Sequence, residues 1–290
     1  KGALQADETS FHNTKLVKAT GDVYMRGNGR FENGPEALLS SGTHVELSPS
    51  TAFMNRGILQ SLGTMTLRQA QLKNQGKIEA KMSLSLPACT QLDNESTGIL
   101  LSQEGDVSLP QLASLENQGR LESHQSFALL KLENFRNRGT LTSHQELKIS
   151  TNKPFVNQGE ISGKTGVYLA LGDTFTDHGD IASEGAVCLD IPQGWDLKSQ
   201  PYSFPSHLTI KGPLFNLSAL HSQGNLTWEC EASEGFFNNV FPLEAEGILT
   251  LKMKRGFVNR SKLWGREGLE VHVPGFENYG FVFGGRRTVF

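Results

Sequence analysis

Between Leu115 and Gly163 apolar and polar residues alternate, and the alternation follows one phrase that occurs three times. The copies are Leu115-x-Asn117-x-Gly119-x-Leu121-x-Ser123, Phe135-x-Asn137-x-Gly139-x-Leu141-x-Ser143 and Phe155-x-Asn157-x-Gly159-x-Ile161-x-Gly163, each 20 residues after the last. In the middle copy Phe135, Asn137, Gly139, Leu141, Ser143, Leu147 and Ile149 share one parity. Arg136, Arg138, Thr140, Thr142, His144, Glu146 and Lys148 share the other. A period of two is that of a strand with one buried face, whereas a 3.6-residue period would carry Arg136 or Arg138 into the core. The pattern predicts strands.

Self-similarity at about 20 residues is the mark of a solenoid. Short strands with no helical segment leave a parallel β-helix, in which each residue lies over its counterpart one coil earlier at about 4.8 Å. Leucine-rich repeats have a similar length but need a Leu-x-x-Leu-x-Leu-x-x-Asn pattern that the chain lacks. The expected fold is all-β: a right-handed parallel β-helix of about 14 coils, the hand following that of parallel crossovers.

Two polar features of the phrase need their own reasons. Gly four positions after the apolar residue marks a corner where positive φ or close backbone packing excludes a Cβ. Asn in the same place in every coil predicts a ladder of side-chain amides, which satisfies a buried group that would otherwise cost about 1–3 kcal/mol. Asn55, Asn74, Asn94, Asn117, Asn137, Asn157, Asn259 and Asn278 are assigned to it.

The phrase runs almost from end to end. Phe11-x-Asn13 and Phe31-x-Asn33 are distorted copies, Phe53 and Leu72 open full ones, and Leu92-x-Asn94 carries an insertion before Gly98. Asp177 replaces Asn in the copy opened by Phe175, and further copies open at Phe237, Phe257 and Phe276. The interval from Phe175 to Phe215 is doubled. Trp195 falls at its expected anchor, among Pro192, Pro201, Pro205 and Pro213. Proline cannot donate to a ladder, so 192–213 is expected to be a frayed or looped-out coil. Trp195, Tyr202 and Phe204 there are of the types enriched at binding hot spots and are candidate partner-binding residues.

Composition narrows the function classes. The net charge is −3, with 27 basic and 30 acidic residues interspersed. That pattern argues for neither nucleic acid nor a membrane surface. Cys89, Cys188 and Cys230 are too few and scattered for a disulfide framework or a zinc site, and no apolar run is long enough for a membrane-spanning helix. Both ends lie within the repeat without a capping element, so residues 1–290 are expected to be a single segment of a longer chain.

The phrase Φ-x-Asn-x-Gly-x-Φ-x-Ser/Ala, followed by a short Φ-x-Φ strand, resembles the repeats of filamentous haemagglutinin, of related two-partner-secretion exoproteins and of contact-dependent growth inhibition effectors. The resemblance covers residues 11–284. It implies an extended shaft exported by a Gram-negative bacterium and displayed at its surface, carrying adhesive segments or a C-terminal toxin domain. The implied partners are an outer-membrane transporter, engaged through an N-terminal secretion domain not found here, and a target-cell receptor or glycan. Neither cofactor nor membrane insertion is implied.

The alternative is a β-helical polysaccharide lyase or hydrolase, including the phage tailspike type, which needs carboxylates stacked on one outer face. Asp173, Asp177, His178 and Asp180 are the nearest match, yet Asp177 and Gly179 occupy template positions. His124 and His144 share a Ser-His-Gln phrase and should stack outside as a solvated pair, without a third ligand in register. Cys188 falls on the outward parity. The expectation is a non-catalytic shaft with no metal site.

Overall fold

The computed structural model describes residues 4–8, 10–49, 51–196, 201–215, 219–231 and 236–290. Their regular elements are all strands, paired in parallel into a β-solenoid of about 13 turns with a spacing of about 20 residues. The chain's contacts divide it into two compact units. The first is Lys1–Asn152 with Val156–Ser162 and His178–Asp180, and the second is Lys153–Phe155 with Gly163–Asp177 and Ile181–Phe290.

One coil of the first unit shows how the alternation works. Its strands Ser114–Asn117, Arg120–Ser123 and Phe127–Leu132 lie over Asn134–Asn137, Thr140–Ser143 and Glu146–Thr151. The register places Leu115 on Phe135, Leu121 on Leu141, Phe127 on Leu147 and Leu129 on Ile149. All eight side chains are buried, while Arg136 on the opposite parity is exposed. Burying one such side chain contributes roughly 1.5–3 kcal/mol, so each coil is held by apolar contacts with its neighbours.

Serine at the end of the phrase closes the next corner. Ser143 is buried, and its hydroxyl donates towards the carbonyls of Gln125 (2.8 Å) and Glu146 (3.0 Å) while accepting from Gln145 N–H at 3.2 Å. Ser61 repeats this with Thr43, Thr64 and Gly63.

The second unit keeps the same parity with larger inward residues. Phe155, Phe175 and Trp195 follow one another at centroid distances of 5.5 and 5.2 Å. Trp228 meets Phe237 edge-on at 4.7 Å, and Phe237 stacks on Phe257 at 5.7 Å. Of the expected frayed or looped-out coil at 192–213, residues 197–200 lie outside the described residues, while its described strands are paired. Trp195–Asp196 pairs with Leu214–Phe215, Pro201–Phe204 begins a five-stranded sheet with Ala219–Ser222 beside it, and His207–Lys211 pairs with Leu226–Cys230. The prolines stand at or beyond strand ends, where a missing N–H leaves the ladder intact.

Candidate interaction surface

The asparagines form the expected ladder, and it is longer than expected. Nδ2 of Asn13, Asn33, Asn55, Asn74, Asn94, Asn117 and Asn137 each donates to Oδ1 of the next asparagine, ending at Asn157, at 2.8–2.9 Å. The second hydrogen of each amide goes to a main-chain carbonyl of the next coil; Asn117 uses Thr140 and Asn137 uses Glu160, both at 3.1 Å. In the second unit Asn239, Asn259 and Asn278 continue the motif at 2.8 Å. Asn13, Asn33 and Asn239 thus join the assigned set. The insertion after Asn94 turns outward, Gly98 N–H returning to Glu95 O at 2.7 Å, and leaves the ladder unbroken. From Asn13 to Asn137 each amide's N–H groups are spent inside the wall, whereas in the second unit Asn278 is exposed.

The glycine corner owes its composition to close approach. A Cβ on Gly139 would lie 2.0 Å from Gly119 O, and one on Gly159 would lie 2.1 Å from Gly139 O. The glycines with positive φ among the described residues are Gly194 and Gly212, not these. Main chain rests directly on main chain, with no room for a side chain.

Trp195 and Phe204 are buried, correcting the expectation that they project as binding anchors. Tyr202 is half-buried, meets Trp195 edge-on at 5.0 Å, and its hydroxyl donates to Asp177 O at 2.8 Å. The three rings plug the interior of their coil. In this worn coil the large apolar side chains keep the inward parity, because burial there removes their apolar surface from water.

Asp177 is buried at an asparagine position, Asp180 and His178 are exposed, and Asp173 accepts from the N–H of Thr174. His124 and His144 stack outside at 4.9 Å and 28°. Glu122 Oε1 lies 2.8 Å from His144 Nε2, and the same carboxylate pairs with Arg120, which makes the group an ion-paired patch. Among the described residues no three His, Cys, Asp or Glu are placed to hold a metal ion. Cys89 and Cys230 are buried, and Cys188 sits half-buried on the outer row between Tyr168 and Thr209, with its thiol pushed up by burial. On the outer wall of the first unit, Arg30, Met54, Gln71, Lys73, Gln91 and Asp93 line a shallow groove. Burial raises the Asp93 carboxyl there, while Lys73 is held by Glu95 more closely than by Asp93.

A different surface departs from the repeat. In the second unit Lys262–Gly265 pairs with Phe281–Gly284, placing Trp264 beside Phe283 and Lys262 beside Phe281 on the outward row. Phe281 is 56% exposed, Phe283 41%, and Tyr279, at the adjoining corner, 67%. The Trp264 and Phe283 rings are nearly parallel (18°), with centroids 6.3 Å apart. The Lys262 ammonium lies 5.3 Å from the Trp264 ring centre, and the Arg260 guanidinium 4.9 Å from that of Tyr279. Elsewhere the same outward rows hold polar residues such as His221 and Glu244.

Parity alone marks Trp264, Phe281 and Phe283 as outward, since Leu263 and Val282 take the inward positions. Charge is the second signal in the sequence. Residues 252–290 hold eight Lys or Arg against three Asp or Glu, whereas the rest of the chain holds 19 against 27. The whole-chain charge of −3 conceals this split.

No family model matches the chain, no curated protein matches it, and no solved structure matches it.

Proposed function

We propose that this chain is an extended, non-catalytic shaft segment of a secreted bacterial exoprotein displayed at the cell surface, of the filamentous haemagglutinin type. It spaces adhesive or toxic elements carried elsewhere in the parent protein. The observation that supports this most directly is the asparagine ladder from Asn13 to Asn157. A segment whose recurrent polar residues are all spent on coil-to-coil bonds is built to repeat and to resist unfolding. A catalytic wall instead presents convergent carboxylates. Asp177 lies buried in an asparagine position of the repeat, which agrees with a shaft.

Coil deletion within the parent protein tests the reading. Removing residues 118–137 takes out one repeat and joins Asn117 to Arg138, which leaves the phrase intact. Fold, transporter-dependent export and surface display should all survive. Removing 118–127 takes out half a repeat and should abolish them. If the whole-repeat deletion folds and is displayed but abolishes a specific activity, the segment is a site and not a spacer. Failure of an antibody against this segment to label intact cells would remove the surface placement.

A further inference from the structure

The aromatic wall around Trp264 lies on outward positions, so the protein's own core does not account for it. We infer that this face adsorbs to the surface of an anionic phospholipid bilayer. The rings of Phe281, Phe283 and Trp264 enter the interface, and Arg260 reaches the headgroup phosphates.

Geometry separates this partner from others that use aromatic residues. Nucleobases, like other ligands held by stacking, need open ring faces. Here Trp264 has Phe283 against it and the Lys262 ammonium 5.3 Å from its ring centre, and Tyr279 carries the Arg260 guanidinium. Trp264 and Tyr279 thus already carry neighbours on their rings, and the apolar surface left exposed is that of Phe281 and Phe283 beside them. Such a surface suits an interface in which Trp and Tyr settle at headgroup level while cationic side chains extend along them to phosphate. The surface is a wall of paired strands and not a groove that would seat a helix, and a flat face fits a planar partner.

Charge complementarity points the same way. The face belongs to the stretch in which eight cations stand against three acids. Lys262 and Arg266 are engaged by Glu244 and Glu246 at 2.9 and 3.0 Å, whereas Arg260 and Arg286 have no carboxylate partner among the described residues. Arg260 at the Tyr279 ring, together with the exposed Phe281 and Phe283, provides the two signals that reversible adsorption to an anionic leaflet requires, and Arg286 adds a second unpaired cation to the same stretch.

Vesicle flotation of the 290-residue chain tests the inference, with phosphatidylcholine vesicles compared with an equal mixture of phosphatidylcholine and phosphatidylserine. Binding should be confined to the anionic vesicles and should weaken as salt is raised. Trp195 and Trp228 are 0% exposed, so a blue shift of tryptophan fluorescence on binding reports Trp264. The double variant Phe281→Ser, Phe283→Ser should bind about tenfold more weakly or worse, through lost apolar insertion. The variant Arg260→Gln, Arg286→Gln leaves the apolar wall in place and should lose the salt-dependent part. Circular dichroism checks the fold of each. Equal binding to neutral vesicles, undiminished binding by both folded variants, or capture of a single-stranded oligonucleotide without vesicle binding would overturn it.

Discussion

Replacing Asn137 by Ala tests whether the amide ladder stabilises the coils or merely decorates them. Asn137 accepts from Asn117 at 2.8 Å and donates to Asn157 at 2.9 Å and to Glu160 O at 3.1 Å. Alanine removes all three bonds in a place with no access to water, since Asn117, Asn137 and Asn157 are all 0% exposed. Two of the stranded groups keep a partner: Asn117 Nδ2 still reaches Thr140 O at 3.1 Å, and Asn157 Oδ1 still accepts from Gly159 N–H at 3.3 Å. At about 1 kcal/mol net for each neutral bond, the cost comes to about 3 kcal/mol. For a cooperative unit of 150–250 residues that is a fall of roughly 6–12 °C in Tm. Asn13 begins the ladder: it donates to Asn33 and to Leu38 O and accepts only within its own coil, from Lys15 N–H at 3.3 Å, and the last two bonds are long and only partly buried, so Asn13→Ala should cost less, about 1–2 kcal/mol. Asn137→Asp should cost more than alanine near neutral pH, because a buried carboxylate accepts from Asn117 but meets the Oδ1 of Asn157 with a second acceptor. Burial raises that carboxyl's folded pKa above the unfolded value, so its ionisation penalty should shrink as pH falls through the raised pKa and be gone below about 4. Urea unfolding curves of the three variants provide the comparison. If Asn137→Ala and Asn13→Ala differ by less than about 0.5 kcal/mol, the ladder adds no stability of its own and the reasoning fails.

Other substitutions probe the wall from different sides. Phe135→Ala should cost about 3–5 kcal/mol by opening a cavity, whereas exposed Arg136→Ala should stay within about 0.5 kcal/mol; equal sensitivity in denaturation would mean the parity is misassigned. Gly139→Ala drives a Cβ against Gly119 O at 2.0 Å, and backbone cannot rotate away. It should destabilise by at least about 3 kcal/mol, whereas Gly268→Ala, whose nearest atom is at 3.2 Å, should be mild in the same thermal melts. Gln69 is buried with neither amide atom bonded among the described residues, so Gln69→Leu should raise stability by about 1–2 kcal/mol, and a loss of that size would point to an unseen partner. Burial pushes the Cys89 thiol from 9.0 up to about 12, so the native state holds its proton longer than the unfolded chain does. Stability linked to it is therefore complete below pH 9 and lost as pH rises towards 12. Cys89→Ala should flatten that alkaline loss, and native Cys89 should resist thiol reagents until the protein unfolds.

Much of this structure was legible residue by residue. The phrase around Phe135 and Asn137 located the buried face and the ladder, because period-two alternation and a fixed repeat are local properties; that each coil there has three strands is seen only in the structure. Even the worn coil at 192–213 kept its anchor where spacing put Trp195. Strand ends tolerate a missing N–H, and only the observed pairing shows that Pro201 stands at such an end. The outward rings at Trp264, Phe281 and Phe283 were open to the same parity rule. The basic stretch that carries them is concealed in the whole-chain charge, where acidic residues elsewhere cancel it.

By itself the sequence determined which side chains face inward, the length of the repeat and hence the parallel solenoid, since each follows from the spacing of residue types along the chain. Only the tertiary structure decided what depends on the register between coils. That register showed that Gly139 is excluded from having a side chain by Gly119 O and not by its own φ, and that Tyr202 turns in to bond Asp177 O. It also brought Trp264 and Phe283, 19 residues apart, together as one outer face. The physical reason is that alternation specifies a face, whereas a contact requires two coils to choose the same offset, a choice made by packing across the whole wall.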